Sequence, residues 1–181
     1  MKLTIHTSES APATSRPVLD GINADLGFVP HLAASVAESP ALLHGFDGLR
    51  RAVAGIEPVD REVAGLSTGV AVDNHYGVAF HSTLLAGLGV AEEDITAMRA
   101  GSPPADERQA AVYEFARECV TTRGKVSDAT LDRLTATGAT QADVLDLVAE
   151  CVFASLVGVV DNLAGRVDLD PFLQPRAWKP A

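Results

Sequence analysis

The sequence predicts an all-α protein that folds as a single domain. Its 181 residues are 47% hydrophobic, enough for one core, and the apolar residues are mostly Ala, Val and Leu. Ala and Leu favour helices, whereas aromatic residues, which favour strands, make up only 5% of the chain. Apolar residues also recur at helical spacing in segments that Gly and Pro separate.

Four helices are predicted in the first half of the chain, after an extended N-terminal arm at residues 1–16. Gly27 ends the first helix and Pro30 opens the second, because glycine suits the position after a helix and proline suits its first turn. Ser39-Pro40 starts the third helix and Pro58 starts the fourth. The predicted spans are 18–26, 31–37, 39–54 and 58–72.

Five helices are predicted in the second half, followed by an irregular tail at residues 168–181. Asp73 or Asn74 caps the first of them, and a Gly-Ser-Pro-Pro break separates the second from the third. Trp178 is expected to hold the tail against the body or a neighbouring subunit. The predicted spans are 75–88, 92–99, 106–121, 127–137 and 140–163. The helical domain is therefore expected to occupy residues 17–167.

The charge of the chain restricts its partners. The net charge is −10, and so acidic a surface repels phosphate backbones and anionic lipids. The N-terminal arm lacks the basic-then-apolar order of a signal peptide, and Asp146 and Glu150 interrupt the most apolar run, residues 144–160. We therefore expect a cytoplasmic protein that binds a small molecule and neither nucleic acid nor membranes.

The cysteines and histidines do not suggest a metal or redox centre. Cys119 and Cys151 lie far apart at apolar helical positions, which favours inert core thiols over a redox pair. His75 and His81 are six residues apart, which does not place them on one face of a helix. No metal site is therefore expected.

One stretch, residues 62–81, holds the residue types that acid/base chemistry requires. Glu62 lies near the start of one predicted helix, and His81 lies in the next, after an Asn-His-Tyr-Gly turn. Two antiparallel helices joined by this turn can bring the two side chains together. A carboxylate that accepts a hydrogen bond from an imidazole fixes its tautomer and raises its basicity. The pair is a candidate general acid/base, and a purely structural pair in the core is the alternative.

The same stretch resembles the carboxymuconolactone decarboxylase and AhpD-like alkylhydroperoxidase superfamily. Redox members of that family carry a Glu, then Cys-x-x-Cys, then a His four residues after the second Cys, and Glu62 and His81 match the Glu and the His. Flanking segments that resemble the peroxidase-related branch are 27–30, 39–43, 138–140 and 161–164. The resemblance extends over about residues 18–164 and implies an AhpD-like helical bundle that assembles as a homo-oligomer.

Asn74 and Gly77 stand where the two cysteines of the family would be, so the thiol chemistry of its peroxidases is not expected. What remains resembles the decarboxylase branch, whose members work without a CxxC pair, a metal or an organic cofactor. There the substrate's own carbonyl accepts the electrons released with CO₂, and the protein stabilises the enolate and protonates carbon. The candidate site residues are, for catalysis, His81, Glu62, His75 and Tyr76 and, for substrate binding, Asn74 and Gly77.

Local structure offers simpler roles for the residues of the turn. His75 and Tyr76 suit a polar surface turn, Asn74 suits a helix cap, and Gly77 leaves space for packing.

Two function classes follow from the resemblance. The first is a cofactor-independent, lyase or decarboxylase-like enzyme that acts on a small organic acid or lactone through His81 and Glu62. The second is an alkylhydroperoxidase-like protein with an antioxidant role, or a non-catalytic ligand-binding descendant of one. A third and weaker alternative is a peroxidase whose thiol has moved to Cys119 or Cys151.

Overall fold

The computed structural model describes residues 1–179, which form helices and no strands. The all-α prediction is confirmed. Within this range the chain forms nine α-helices and one 3-10 helix. The α-helices are α1 (Arg16–Leu26), α2 (His31–Val36), α3 (Pro40–Val53), α4 (Pro58–Ala71), α5 (His75–Gly87), α6 (Glu92–Arg99), α7 (Glu107–Thr121), α8 (Asp128–Ala136) and α9 (Gln141–Ala164); the 3-10 helix is Pro171–Arg176.

The helix boundaries lie within two residues of the predicted ones, because the expected capping side chains act as caps. The Ser127 hydroxyl accepts a hydrogen bond from the Thr130 N–H at the start of α8. Of the two candidates before α5, the cap is Asn74, whereas Asp73 adopts a left-handed backbone conformation with φ of 60°. A capped end satisfies backbone N–H groups that a helix leaves without partners.

The tail differs from the irregular segment that the sequence predicts. Its prolines do not prevent a 3-10 helix, since Pro171 occupies the first helical position, where no N–H is needed. Leu173 is fully buried in the core, and the Trp178 indole N–H donates to the Arg99 carbonyl at 3.1 Å. The last two tail residues, 180 and 181, lie outside the described residues.

Two apolar clusters share the central helices α5 and α9, and the second of them also contains α4. One cluster lies against α1, α2 and α3 and includes Leu19, Leu32 and Leu43. The other extends to α6 and α7 and includes Ile95 and Phe115. Side chains of α4, α5 and α9 therefore meet in the middle of the molecule, between the two clusters.

The longest helix, α9, buries two acidic residues, Glu150 and Asp161. The Asp161 carboxylate accepts hydrogen bonds from the backbone N–H groups of Val167 at 2.8 Å and Tyr76 at 3.4 Å. These N–H groups stabilise the charge of Asp161, whereas Oε1 of Glu150 has no hydrogen-bond donor within residues 1–179. None of the helices formed by residues 1–179 has the length and apolar character needed to cross a bilayer.

Candidate active site

A buried hydrogen bond joins Glu62 of α4 to His81 of α5. Oε2 of Glu62 lies 2.7 Å from Nδ1 of His81, and the two residues are only 2% and 7% exposed. The short turn between α4 and α5 folds the helices against each other, so that the start of α4 lies beside the second half of α5. The structure thus brings together the two residues that the sequence pairs. Their catalytic role stays a prediction.

Opposite charges hold this pair together. Burial favours a raised pKa for Glu62, but the hydrogen bond from His81 and the positive charges of His81 and Arg61 together outweigh it and leave the pKa lowered. Burial favours a lowered pKa for His81, but the hydrogen bond to Glu62 and its charge leave the pKa raised. Arg61 contributes as well, since its Nε–H donates to Oε1 of Glu62 at 2.7 Å. The pair therefore favours imidazolium and carboxylate, and the Nε2–H of the imidazolium stays available.

A second carboxyl group, that of Glu150 in α9, faces the other ring nitrogen. Its Oε1 lies 3.8 Å from Nε2 of His81 and has no hydrogen-bond partner among residues 1–179. Glu150 is 1% exposed, and burial raises the pKa of its carboxyl to about 7. An unpartnered, buried carboxyl oxygen is rare in proteins and is a mark of functional sites. In the sequence, the only signal of Glu150 is that it interrupts an apolar run, and this signal does not indicate a site.

All three residues line a cavity of about 370 Å³, the size of a site for a small organic molecule. The chain has six phenylalanines, and five of them line this cavity. They are Phe28, Phe46, Phe80, Phe153 and Phe172. Phe28 and Phe172 are partly exposed and pack edge to face, with ring centroids 5.4 Å apart, so they mark the side open to solvent. The acid/base residues lie at the buried end.

The two guanidinium groups that line the cavity already have anionic partners. Arg50 pairs with Asp25 at 2.6 Å and with Asp47 at 2.7 Å, and Arg61 pairs with Glu62. A polyanionic ligand would have to compete with these carboxylates. The lining therefore favours a ligand that is mainly apolar.

Tyr76 lines the cavity, and its hydroxyl is hydrogen-bonded within the fold. The buried hydroxyl donates to the Asp170 carboxylate next to the 3-10 helix. Burial, together with this hydrogen bond, raises the pKa of Tyr76 far above its usual value. The hydroxyl proton thus already has an acceptor within the fold, and the catalytic role of Tyr76 stays a prediction.

His75 and Asn74 lie outside the cavity lining. The Nδ1 of His75 is buried without a hydrogen-bond partner among the described residues, and burial lowers the pKa of the ring. Both polar atoms of the Asn74 amide are hydrogen-bonded within the fold. Oδ1 accepts from the Gly77 N–H at 2.8 Å, and Nδ2 donates to the Ala154 carbonyl at 3.3 Å. The structure therefore does not bring these two side chains to the cavity, and the roles predicted for them stay predictions.

Gly77 does line the cavity, and its missing side chain is linked to Asn74. A Cβ atom at position 77 would overlap the Asn74 amide. Asn74 thus fills the space that a side chain at position 77 would occupy. The two positions at which the family resemblance places cysteines are coupled by packing, so a cysteine at 77 requires a smaller residue at 74.

Gly65 of α4 fixes the position of the imidazole. A Cβ atom at this position would lie within 2.6 Å of three atoms of the His81 ring, so only glycine allows the ring to pack flat against α4. We expect Gly65→Ala to displace the ring, break its hydrogen bond to Glu62 and destabilise the protein by about 1–3 kcal/mol through overpacking. Chemical denaturation and the proton NMR signal of the His81 Nδ1–H measure both effects.

Gly48→Ala is the matched control for this substitution. Gly48 lies in α3, and nothing lies within 4 Å of a Cβ atom added there. Alanine at this helical position should be neutral or stabilise the protein by up to about 1 kcal/mol. A Gly65→Ala variant that keeps the Nδ1–H signal and the wild-type stability would contradict the packing argument.

Several solved structures have a fold similar to that of this chain. An alkylhydroperoxidase AhpD core, an uncharacterized peroxidase-related protein from Ralstonia eutropha JMP134, superimposes with a TM-score of 0.80 at 21% identity, covering 98% of this chain and 97% of that one. A variant of the debrominase Bmp8 in complex with 2,3,4-tribromopyrrole gives 0.75 at 17%, covering 97% and 95%. A peroxidase-related protein from Silicibacter sp. TM1040 gives 0.73 at 16%, covering 94% and 91%.

The resemblance drawn from the sequence is confirmed at the level of the fold, since these neighbours match nearly the whole chain. No protein-family model and no curated protein matches the sequence. The chain therefore has the AhpD-like helical fold.

Proposed function

We propose that this protein is a cytoplasmic, cofactor-independent acid/base enzyme of the lyase or decarboxylase type, acting on a small and mainly apolar organic acid or lactone. One observation carries the proposal: Glu62, His81 and Glu150 form an acid/base array at the buried end of an aromatic cavity. A residue that only caps a helix, or an ion pair that only stabilises the core, does not need a cavity of this volume beside it. An apolar wall with a few convergent polar groups is typical of a small-molecule site.

The array assigns a role to each polar side chain. Glu62 fixes the orientation of the imidazole and stabilises its charge. His81 presents Nε2–H to the cavity and transfers this proton to the carbon of an enolate formed when a bound carboxylate leaves as CO₂. Glu150, 3.8 Å from Nε2, holds a proton near neutral pH and returns one to the ring after transfer. The substrate's own carbonyl takes up the electrons of the broken C–C bond.

The lining supports a compact, unsaturated or aromatic substrate. Aromatic side chains stack on flat rings, and both guanidinium groups of the cavity are paired within the protein. The structural neighbour Bmp8 was crystallised with 2,3,4-tribromopyrrole, a small aromatic ring. A keto acid or enol-lactone with a single carboxylate and an apolar body fits this lining better than a polyacid does.

Turnover in deuterium oxide tests the proposal. Small aromatic and aliphatic keto acids, lactones and enol-lactones are incubated with the protein, and CO₂ release and deuterium incorporation at carbon are followed by NMR. We expect at least one compound to release CO₂ and to gain deuterium at the adjacent carbon. Tight binding of such compounds without either change would instead support the non-catalytic ligand-binding alternative.

We also propose that the chain forms a homo-oligomer through α9. Residues at seven-residue spacing, Leu145, Val152 and Val159, form an exposed stripe with Leu163, and no charged residue lies between them on that face. In a chain of net charge −10, an uncharged stripe is the surface on which a second copy meets least repulsion. Seven-residue spacing also keeps such a stripe facing a partner helix.

Light scattering at micromolar concentration should therefore give a multiple of 18.9 kDa. Val159→Glu should weaken the assembly at least tenfold, because it places like charges opposite each other across the contact. Leu88→Glu, an equally drastic change at an exposed position outside the stripe, is the control and should leave the mass unchanged. A monomeric wild-type protein would rule the assembly out.

A further inference from the structure

Arg61 lines the aromatic cavity, and the fold uses only part of its guanidinium group. Its Nε–H donates to Oε1 of Glu62 at 2.7 Å, and its Nη1–H makes a long hydrogen bond of 3.4 Å to the Ala54 carbonyl. Nη2 has no hydrogen bond to any residue that the structure describes. A guanidinium group carries several N–H donors in a fixed plane, so Arg61 keeps donors available for a ligand.

The other guanidinium group of the cavity, that of Arg50, is more completely neutralised. Arg50 pairs with two carboxylates, those of Asp25 at 2.6 Å and Asp47 at 2.7 Å. Arg61 has a single carboxylate partner, Glu62. Of the two, Arg61 is therefore the better donor to an oxygen that carries negative charge.

The charges at the buried end of the cavity are not balanced. Arg61 is a cation, Glu62 is an anion, and the hydrogen bond to Glu62 outweighs burial and keeps the pKa of His81 raised, which favours imidazolium. Burial raises the pKa of Glu150 to about 7, so its carboxyl group is mostly neutral below this pH. The four groups then carry one net positive charge in a chain of net charge −10. One bound negative charge would balance it.

The proposed decarboxylation requires a donor besides His81. When the bond to the leaving CO₂ breaks, its electron pair forms the C=C bond of the enolate, and the π electrons of the carbonyl group move to oxygen. The Nε2 proton of His81 then passes to carbon, and the electrons return from oxygen to restore the carbonyl. One N–H cannot hold the oxygen and protonate carbon at the same time, so the negative oxygen needs another donor.

We propose that Arg61 is that donor, and that its Nη N–H groups hold the carbonyl oxygen on which negative charge develops. The inference rests on the acid/base function proposed for the cavity and adds a catalytic residue to it. Glu62 fixes the geometry, because its two oxygens bind Nε of Arg61 and Nδ1 of His81 at 2.7 Å each. The oxyanion donor and the proton donor are thus held on one carboxylate.

This arrangement narrows the substrate class to β-keto acids. The carbonyl group can accept the electron pair only if it is bonded to the carbon that loses CO₂. The oxygen of that carbonyl has to reach Arg61 while the neighbouring carbon reaches Nε2 of His81. A flat β-keto acid with one carboxylate and an apolar body satisfies both requirements and the aromatic lining.

Binding of para-nitrophenol tests the proposal without turnover, because its phenolate resembles an enolate on a flat ring. The phenolate absorbs visible light and the phenol does not, so the absorbance of the bound probe measures its ionised fraction. At mildly acidic pH, where the free probe is mostly phenol, the wild type should bind it mainly as phenolate. Arg61→Gln should lower the ratio of bound phenolate to bound phenol about tenfold or more, because charge-assisted hydrogen bonds are lost.

Two further variants separate ligand binding from a structural role. Arg51→Gln is the control, since Arg51 lies in α3 outside the cavity lining, and it should leave the ratio unchanged. Arg61→Lys keeps a cation beside Glu62, but its single nitrogen cannot serve Glu62 and the probe as two edges of a guanidinium group do. Its free energy of unfolding, measured in urea, should stay near that of the wild type while the ratio falls.

Three outcomes would overturn the proposal. They are a wild type that does not bind the probe or binds only the phenol, an Arg61→Gln variant with the wild-type ratio, and an Arg50→Gln variant that loses the phenolate in place of Arg61→Gln. The acid/base function is tested separately, by CO₂ release. If a β-keto acid is turned over, Arg61→Gln should lower kcat about a hundred- to thousandfold. If none is turned over and the ratio still depends on Arg61, the oxyanion site stands and the enzyme proposal fails.

Discussion

Replacing His81 by Gln is expected to lower turnover by about a hundred- to ten-thousand-fold, because it removes the group that transfers the proton. The amide of Gln can still donate a hydrogen bond to Glu62, so that Glu62 is not left as an unpaired buried charge. The loss should appear in kcat, whereas binding of a substrate in the aromatic part of the cavity should change little. Steady-state kinetics on any compound that the wild type turns over measure both constants.

Glu62→Gln should cost less than His81→Gln, because the imidazole survives and loses only its fixed orientation and its charge partner. His44→Gln serves as the control, since His44 is an exposed histidine of α3 outside the cavity. If His81→Gln lowers only the free energy of unfolding and turnover per folded molecule stays at the wild-type level, the pair is structural and the enzyme proposal fails.

Glu150→Gln is expected to stabilise the protein at alkaline pH by about 3 kcal/mol relative to the wild type. Burial raises the pKa of this carboxyl from 4.5 to about 7, so the folded state binds a proton that the unfolded state has released. A group of this kind lowers the free energy of unfolding as the pH rises from about 4.5 to about 7, and the whole cost is present above that range. The amide of Gln stays neutral and removes the cost.

His81 makes the free energy of unfolding depend on pH with the same sign as Glu150 does. Its pKa is raised in the folded state, so its contribution to stability is complete below its unfolded value and is lost as the pH rises through the folded value. The pKa of Glu62 is lowered in the folded state, so its contribution to the free energy of unfolding is lost at acidic pH, as the pH falls through the folded pKa. The wild type should therefore be most stable at mildly acidic pH, and Glu150→Gln should flatten only the part between about pH 4.5 and 7.

Urea unfolding at several pH values measures these slopes. Asp146→Asn, which removes an exposed carboxylate from the same helix, is the matched control and should leave the slope unchanged. A Glu150→Gln variant with the wild-type slope would show that the Glu150 carboxyl is ionised in the folded state at neutral pH. Its proposed role as the proton reservoir for His81 would then fail as well.

The sequence by itself determined the helices and one contact of the site. Apolar spacing, capping residues and Gly or Pro breaks are local signals, and they located all nine α-helices formed by residues 1–179. The pairing of Glu62 with His81 could also be predicted from the sequence, because a short turn between two helices constrains which residues lie side by side. For the same reason, the Asn74 cap could be expected from its place before α5.

Only the tertiary structure decided which distant residues surround that pair. Glu150 and the phenylalanines of the cavity come from segments far apart in the chain, and their meeting depends on how the helices, α9 among them, pack together. The sequence neighbours of Tyr76 suggest that its hydroxyl belongs to the site. In the structure this hydroxyl donates a hydrogen bond to Asp170, which lies near the other end of the chain. Local periodicity carries no information on such long-range packing, so the residues that line the cavity could be seen only in the folded chain.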